Sequence, residues 1–363
     1  LKRALSLDED SQVAHVSLMP LAVLHDDVPN ACAIARAGWK LGPVDPVWHL
    51  YLAISLASLE AITNGFPAAG VFAREVRHST RYGGNAGAVL AVRALEYHFR
   101  GLHDVSEIER VRAHLKTTAV APLNEADRLY LAAVSEAMLQ QERAHELLAD
   151  LDAIRQRTTR LSPRSLQLIY RYRGVAAMMD ARHDEGLASL KRAHQLAKHD
   201  PMVHSRTATL YLLALLRAGD LTQAERHVNE LPEPRGASEY ADRSLQHAAL
   251  AHAQGRNDEA LKHLAEVEEH LSGFTPLGRL VYATYYLSVL LAADQDATPA
   301  LDHIEEALAA NPMSAQRLWW LNGKEELERS LMRRHPGATR TIMALSRALL
   351  GQRSDDHVQP PTP

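Results

Sequence analysis

A short phrase recurs along the chain: a small residue, an apolar or small residue four positions on, and another three beyond that. It reads Ala31, Ala35, Gly38 near the start, followed by Pro43, and Ala300, Ile304, Ala307 near the end, followed by Pro312. Between them lie Gly186, Leu190, Ala193, then Ala224, Val228, Leu231, then Ala260, Leu264, Val267, with weaker versions at Ala69, Ile108 and Ala144. Successive phrases begin 38, 39, 36, 42, 38, 36 and 40 positions apart. Offsets of four and three place the residues on one helical face, so each phrase is a packing stripe. A fixed period in this range marks stacked supersecondary units, each burying its apolar face on the next.

Composition agrees with helices. The chain is 46% hydrophobic but only 5% aromatic, and it is rich in Ala, Leu, Arg and Glu, which favour helix over strand. At 363 residues it is long for a single core, but an array needs none, so length here counts repeats. The turns have suitable chemistry. Gly219-Asp220 and Gly255 with Asn257 supply left-handed turn residues between paired helices, and Pro201 ends a helix expected over about 184–198. Gly174 marks a position where two helices approach closely.

The pattern resembles the tetratricopeptide repeat, most closely at Gly174, Gly186, Leu190, Ala193 and at Ala300, Ile304, Ala307, Pro312. The resemblance implies an all-α, right-handed superhelix of stacked antiparallel helix pairs over residues 1–312. It holds about eight degenerate repeats, best over 165–312, followed by capping helices over 313–350 and a disordered tail over 351–363. The period runs a few residues long and the first-helix signature is mostly lost. Residues 62–160 fit only with irregular turns, so HEAT-like repeats, with a period of about 40–47, stay open for that stretch. In tetratricopeptide arrays the first helix of each pair lines a concave groove. By that resemblance the groove positions here are Arg171, Val175, Met178, Arg206, Arg217, Asp242, Gln246, Tyr282 and Tyr285. Aromatic, Met and Arg side chains are common interface anchors.

Charge and motif spacing narrow the function classes. The net charge is −4 with the basic and acidic residues interspersed, so no basic stripe offers itself to phosphates and direct nucleic-acid binding by this chain is not expected. No apolar run has the length of a membrane span. The single Cys32 reads as a small buried side chain in a reducing compartment. Twenty histidines invite a metal or acid–base reading, but His247 and His252 are five apart, about 140° around a helix, as are His194, His199 and His204. They are expected as scattered polar or half-buried side chains. The glycine-rich Arg81–Gly87 segment follows no strand and reads as an inter-repeat turn. Paired carboxylates such as Glu305-Glu306 belong on a solvated face.

The expectation is therefore a binding scaffold without enzymatic activity, metal or cofactor, recognising a protein or peptide in its groove. The phrases "LKRALSLDED" and "AGWKLGPVDPVWHLYLAISL" resemble joints in the C-terminal arrays of bacterial winged-helix transcription activators. That resemblance implies a regulatory, cytoplasmic, bacterial role, with a DNA-binding part upstream of Leu1. An assembly or secretion scaffold and a small-ligand or peptide sensor remain the alternatives.

Overall fold

The computed structural model describes residues 11–310, except 25–26, 79–85, 103, 119–121, 159, 199–200, 235–236, 272–273 and 275, together with Arg333. Among the described residues the chain forms fifteen α-helices and no strand. In order these are α1 (Gln12–Leu24), α2 (Val28–Lys40), α3 (Pro46–His78), α4 (Ala86–Arg100), α5 (Val105–Thr118), α6 (Glu125–Gln140), α7 (Ala144–Arg157), α8 (Pro163–Met179) and α9 (His183–Ala197). There follow α10 (Pro201–Arg217), α11 (Leu221–Glu230), α12 (Ala237–Ala253), α13 (Asn257–Glu268), α14 (Pro276–Ala292) and α15 (Thr298–Ala310). Apart from Arg333, the expected capping helices and tail lie outside the described residues, as does most of the Arg81–Gly87 segment. The chain divides within α12 into two compact units, Leu1–Gln246 and His247–Pro363.

The recurring phrase is a burial stripe. Ala31, Ala35, Ala69, Ala73, Val76, Leu190, Ala193, Ala224, Val228, Ala260, Leu264, Val267, Ala300 and Ile304 are all 0% exposed. Small residues there let a neighbouring helix approach, and the larger ones fill the adjoining groove. The α8–α9 pair shows how close the approach is. A Cβ on Gly174 would stand 2.5 Å from Leu190 Cγ, and one on Gly186 would stand 2.7 Å from Met178 Cγ and Sδ. In the Ile108 version Arg112 takes the apolar slot, only 9% exposed, and carboxylates satisfy it.

The substantial helix–helix contacts among the described residues are local. In the first unit α8 packs on α7 and α9, α9 on α10, and α10 on α11, while α4 packs on α6, α5 on α7, and α6 on α8. In the second unit α13 packs on α14 and α14 on α15. Each of the helices in these contacts thus meets those one or two places away in chain order.

The turns repeat as faithfully as the stripe. Five helix pairs close with one residue at positive φ: Glu142 (59°), Ala181 (57°), Gly219 (72°), Gly255 (76°) and Asp294 (54°). In each, the following residue's amide reaches back five positions. Arg143 N donates to Met138 O, Arg182 to Ala177, Asp220 to Leu215, Arg256 to Ala251 and Gln295 to Leu290, all at 2.8–3.0 Å. This is the left-handed cap that satisfies the last carbonyls of a helix. In four of the five the next helix then starts at once, and α15 starts three residues after Gln295; Asp220 caps α11 by accepting from Gln223 N at 3.0 Å.

One stretch departs from pairing. Residues 46–78 form the single 33-residue helix α3, which runs through Asn64-Gly65-Phe66-Pro67. The Ala69 phrase is buried on its second half, so the packing stripe is present without the turn that would set it on a separate helix.

Candidate functional site

Alternate helices of the first unit are joined by polar side chains that sit a repeat length apart. Tyr172 on α8 donates its hydroxyl to Glu136 on α6 at 2.9 Å, 36 positions away. Gln167 on α8 donates to Thr207 on α10 at 3.1 Å, 40 positions away, and Gln246 on α12 donates to Thr209 at 2.9 Å, 37 positions away. Residues two apart on a helix point about 200° apart. Thr207 and Thr209 therefore face opposite neighbours, which places α10 between α8 and α12.

These rungs sit under half-buried groups. Tyr172, Gln167, Thr207 and Gln246 are 2%, 5%, 0% and 3% exposed, whereas Glu136, Thr209, Arg171 and Asp242 retain partial exposure. Arg171 lies over the Tyr172 ring at 4.8 Å and donates to its hydroxyl at 3.0 Å, so that oxygen accepts from Arg171 and donates to Glu136. Arg171 and Gln167 share a face of α8 by their four-residue offset, as do Asp242 and Gln246 on α12. The result is a polar track across α6, α8, α10 and α12 whose half-buried members are Glu136, Arg171, Thr209 and Asp242.

Ion pairs form a second ladder, on α5, α7 and α9 and on another face of α8. Arg112 on α5 donates to Asp150 at 2.6 Å and to Glu109 at 2.8 Å, and pairs with Glu146 on α7 at 3.1 Å. Burial opposes its charge, but Asp150 and Glu109 outweigh that and hold the guanidinium above its ordinary range. Arg143 binds both Glu109 and Glu146, and its bond to Glu146 is the main reason that carboxyl falls to about 2. Arg173 joins Asp152, Glu185 and Ser189, tying α8 to α7 and α9. These charges already have carboxylate partners.

The nine groove positions read from sequence separate into classes. Arg171, Arg217 and Asp242 are half-buried, and burial lowers the Arg217 guanidinium. Gln246 belongs to a rung. Val175, at 6% exposure, and Met178, at 0%, lie in the packing between helices, Met178 against Gly186, because their face of α8 is the one that meets α9. The Arg206 side chain lies outside the described residues. Tyr282, 0% exposed, and half-buried Tyr285 stand on α14 in the second unit. Burial raises both phenols, and the Tyr282 ring sits at 5.6 Å from Tyr286 and from His303. Cys32, expected buried, is half-buried.

The sequence reading missed Glu136, Gln167, Tyr172, Thr207 and Thr209. No single one of them carries a local mark; each is identified only by the partner it meets about a repeat length away. It also treated the histidines as scattered, yet His194, His204 and His227 meet in the first unit. Spacing along one helix excludes a shared face only for residues on that helix, and these three stand on α9, α10 and α11. No group of three metal-ligating side chains among the described residues is arranged to hold an ion, and none of the described helices is long and apolar enough to cross a membrane. Near the start of the chain, Val44, Val47, Trp48 and Tyr51 are exposed at 73%, 71%, 38% and 41%. No protein-family model matches the sequence, and no curated protein matches it either.

Proposed function

We propose that this chain is a helical-repeat interaction module, a tetratricopeptide-like array of stacked helix pairs that binds a protein or peptide along the track on α6, α8, α10 and α12. It works by binding and not by catalysis. The observation that carries this reading is the series of rungs at the repeat distance, which aligns alternate helices and presents Arg171, Thr209 and Asp242 beside them. The exposed apolar residues around Trp48 add a surface suited to a protein partner. Within this reading the chain serves as the regulatory array of a bacterial transcription activator, on the strength of the "AGWKLGPVDPVWHL" joint.

The test is affinity capture from host lysate followed by cross-linking mass spectrometry, with an Arg171→Ala/Asp242→Ala variant as control. Cross-links concentrated on α8, α10 and α12 and lost in the variant are expected. Cross-links confined to α5 and α7, or capture indifferent to the variant, would sink the assignment of this face. For the regulatory role, the full gene product should drive a reporter whose output the same variant abolishes.

A further inference from the structure

Three imidazoles from three consecutive helices meet around one tyrosine. The His194 ring centroid lies 5.1 Å from that of His204 and 4.8 Å from that of His227. Tyr211 stacks on His194 at 5.8 Å and stands edge-on to His227 at 4.9 Å. His227 is 7% exposed, and its Nε2 faces the Ala208 carbonyl at 3.1 Å, so that nitrogen carries the proton. His194 Nδ1 is buried with no hydrogen-bond partner. Neutral rings suit such a site, since they pack face to face and edge to face as aromatic groups do. Charged rings do not, because cations about 5 Å apart repel and the buried His227 ring has little access to water.

We infer that the His194–His204–His227 cluster is an acid-operated joint: neutral imidazoles hold α9, α10 and α11 together, and proton uptake drives these helices apart. The surrounding charges favour that behaviour. Lys198, the residue after α9, acts against a charged His194, and Arg243 on α12 against a charged His227, while Glu230 on α11 favours it and Asp220 acts on the Tyr211 phenol. Burial first, then the neighbouring His227, His204 and Lys198, push the His194 imidazole down to about 4. Burial also lowers His227, against the pull of the Ala208 bond.

Both shifts disfavour the charged form in the closed state. The joint is at full strength above the ordinary histidine range and weakens as pH falls from about 6.5 toward 4, because the open state takes up protons first. For His194 alone the opening equilibrium grows about twenty-fold between pH 7 and pH 5. Helix α10 also carries Thr207 and Thr209, so an opened joint breaks the rungs to α8 and α12. That last consequence rests on the proposed role of the track; the joint itself does not.

The test is hydrogen exchange on the whole chain at pH 7 and pH 5, corrected for the intrinsic pH dependence of exchange, with imidazole titration by NMR. Peptides from α9–α11 should lose protection about twenty-fold while those from α6 and α7 hold theirs, and one imidazole should stay neutral to about pH 4. His194→Phe keeps a ring without a titratable nitrogen and should retain protection at pH 5. His204→Gln, which removes one like charge from a half-buried position, should shrink the loss and serves if His194→Phe does not fold. Equal loss in all helices, unchanged pH dependence in the variants, or all three rings titrating near 6.5 would overturn the joint. Opening of α9–α11 with partner binding unaffected would uphold the joint and overturn only its link to the track.

Discussion

Residues 125–310 and residues 12–118 carry the same packing phrase, but only the first of these regions pairs its helices in one way. From α6 onward, five helix pairs close on the same left-handed residue and the same backbone bond reaching back five positions. Before α6 the chain solves each junction separately. Helix α2 ends in a turn holding Gly42 at φ 84°, α3 runs 33 residues without a turn, and α4 ends at Gly101 with φ 80°. Gln12 stitches the first of these junctions by donating to Gly38 O at 3.3 Å and accepting from Asp45 N at 3.0 Å. A buried stripe therefore fixes which face of a helix packs, and the turn fixes whether the next helix returns as its partner.

The largest test of that contrast is overpacking. Gly174→Val should cost about 3 kcal/mol in urea unfolding, because the new Cβ meets Leu190 Cγ at 2.5 Å and Leu190 N at 3.1 Å between two regularly paired helices. Gly38→Val meets only side-chain atoms, His15 Cβ at 2.6 Å and Leu52 Cδ1 at 3.0 Å, with no backbone atom among the nearest, and should cost about 1–2 kcal/mol. Equal costs would mean that the irregular region is packed as rigidly as the regular one. Next comes the ladder that joins the two regions across α5 and α7. Arg112→Met should lose about 1–2 kcal/mol by denaturant titration, a figure discounted for half-exposed partners.

Smaller effects probe the turns themselves. Gly219→Ala forces an alanine into φ 72° and should lower stability by about 1 kcal/mol. The smallest and most discriminating change runs the other way. Glu142→Gly, Ala181→Gly and Asp294→Gly each relieve a side chain held at positive φ and should each gain about 0.5–1 kcal/mol by thermal or chemical unfolding. A loss at any one of them would show that its turn is not equivalent to the other two.

These turns also mark how far the sequence could be read. Only Gly219 and Gly255 of the five left-handed positions are glycine, so the other three carry no local signal and appear only through the fold. The stripe was legible because its offsets follow directly from helical geometry, and burial at Ala69, Ala73 and Val76 bears it out even where the pairing fails. The single helix α3 was not legible, since Gly65 and Pro67 are residues that usually end helices and the helix runs through both. Among the groove positions, Met178 and Val175 were misplaced because an apolar residue on a first helix serves packing unless another element leaves it uncovered. Gln167, Thr207 and Thr209 went unseen because a single polar residue in a helix carries no mark of the partner a repeat away.

The local contacts described for these helices also bear on how the chain is made. The helices in these contacts meet partners one or two places away, so what such a helix needs is made within the next two helices. Contacts this local let a helix find its neighbours soon after it is made, so packing can begin during synthesis instead of waiting for the end of the chain.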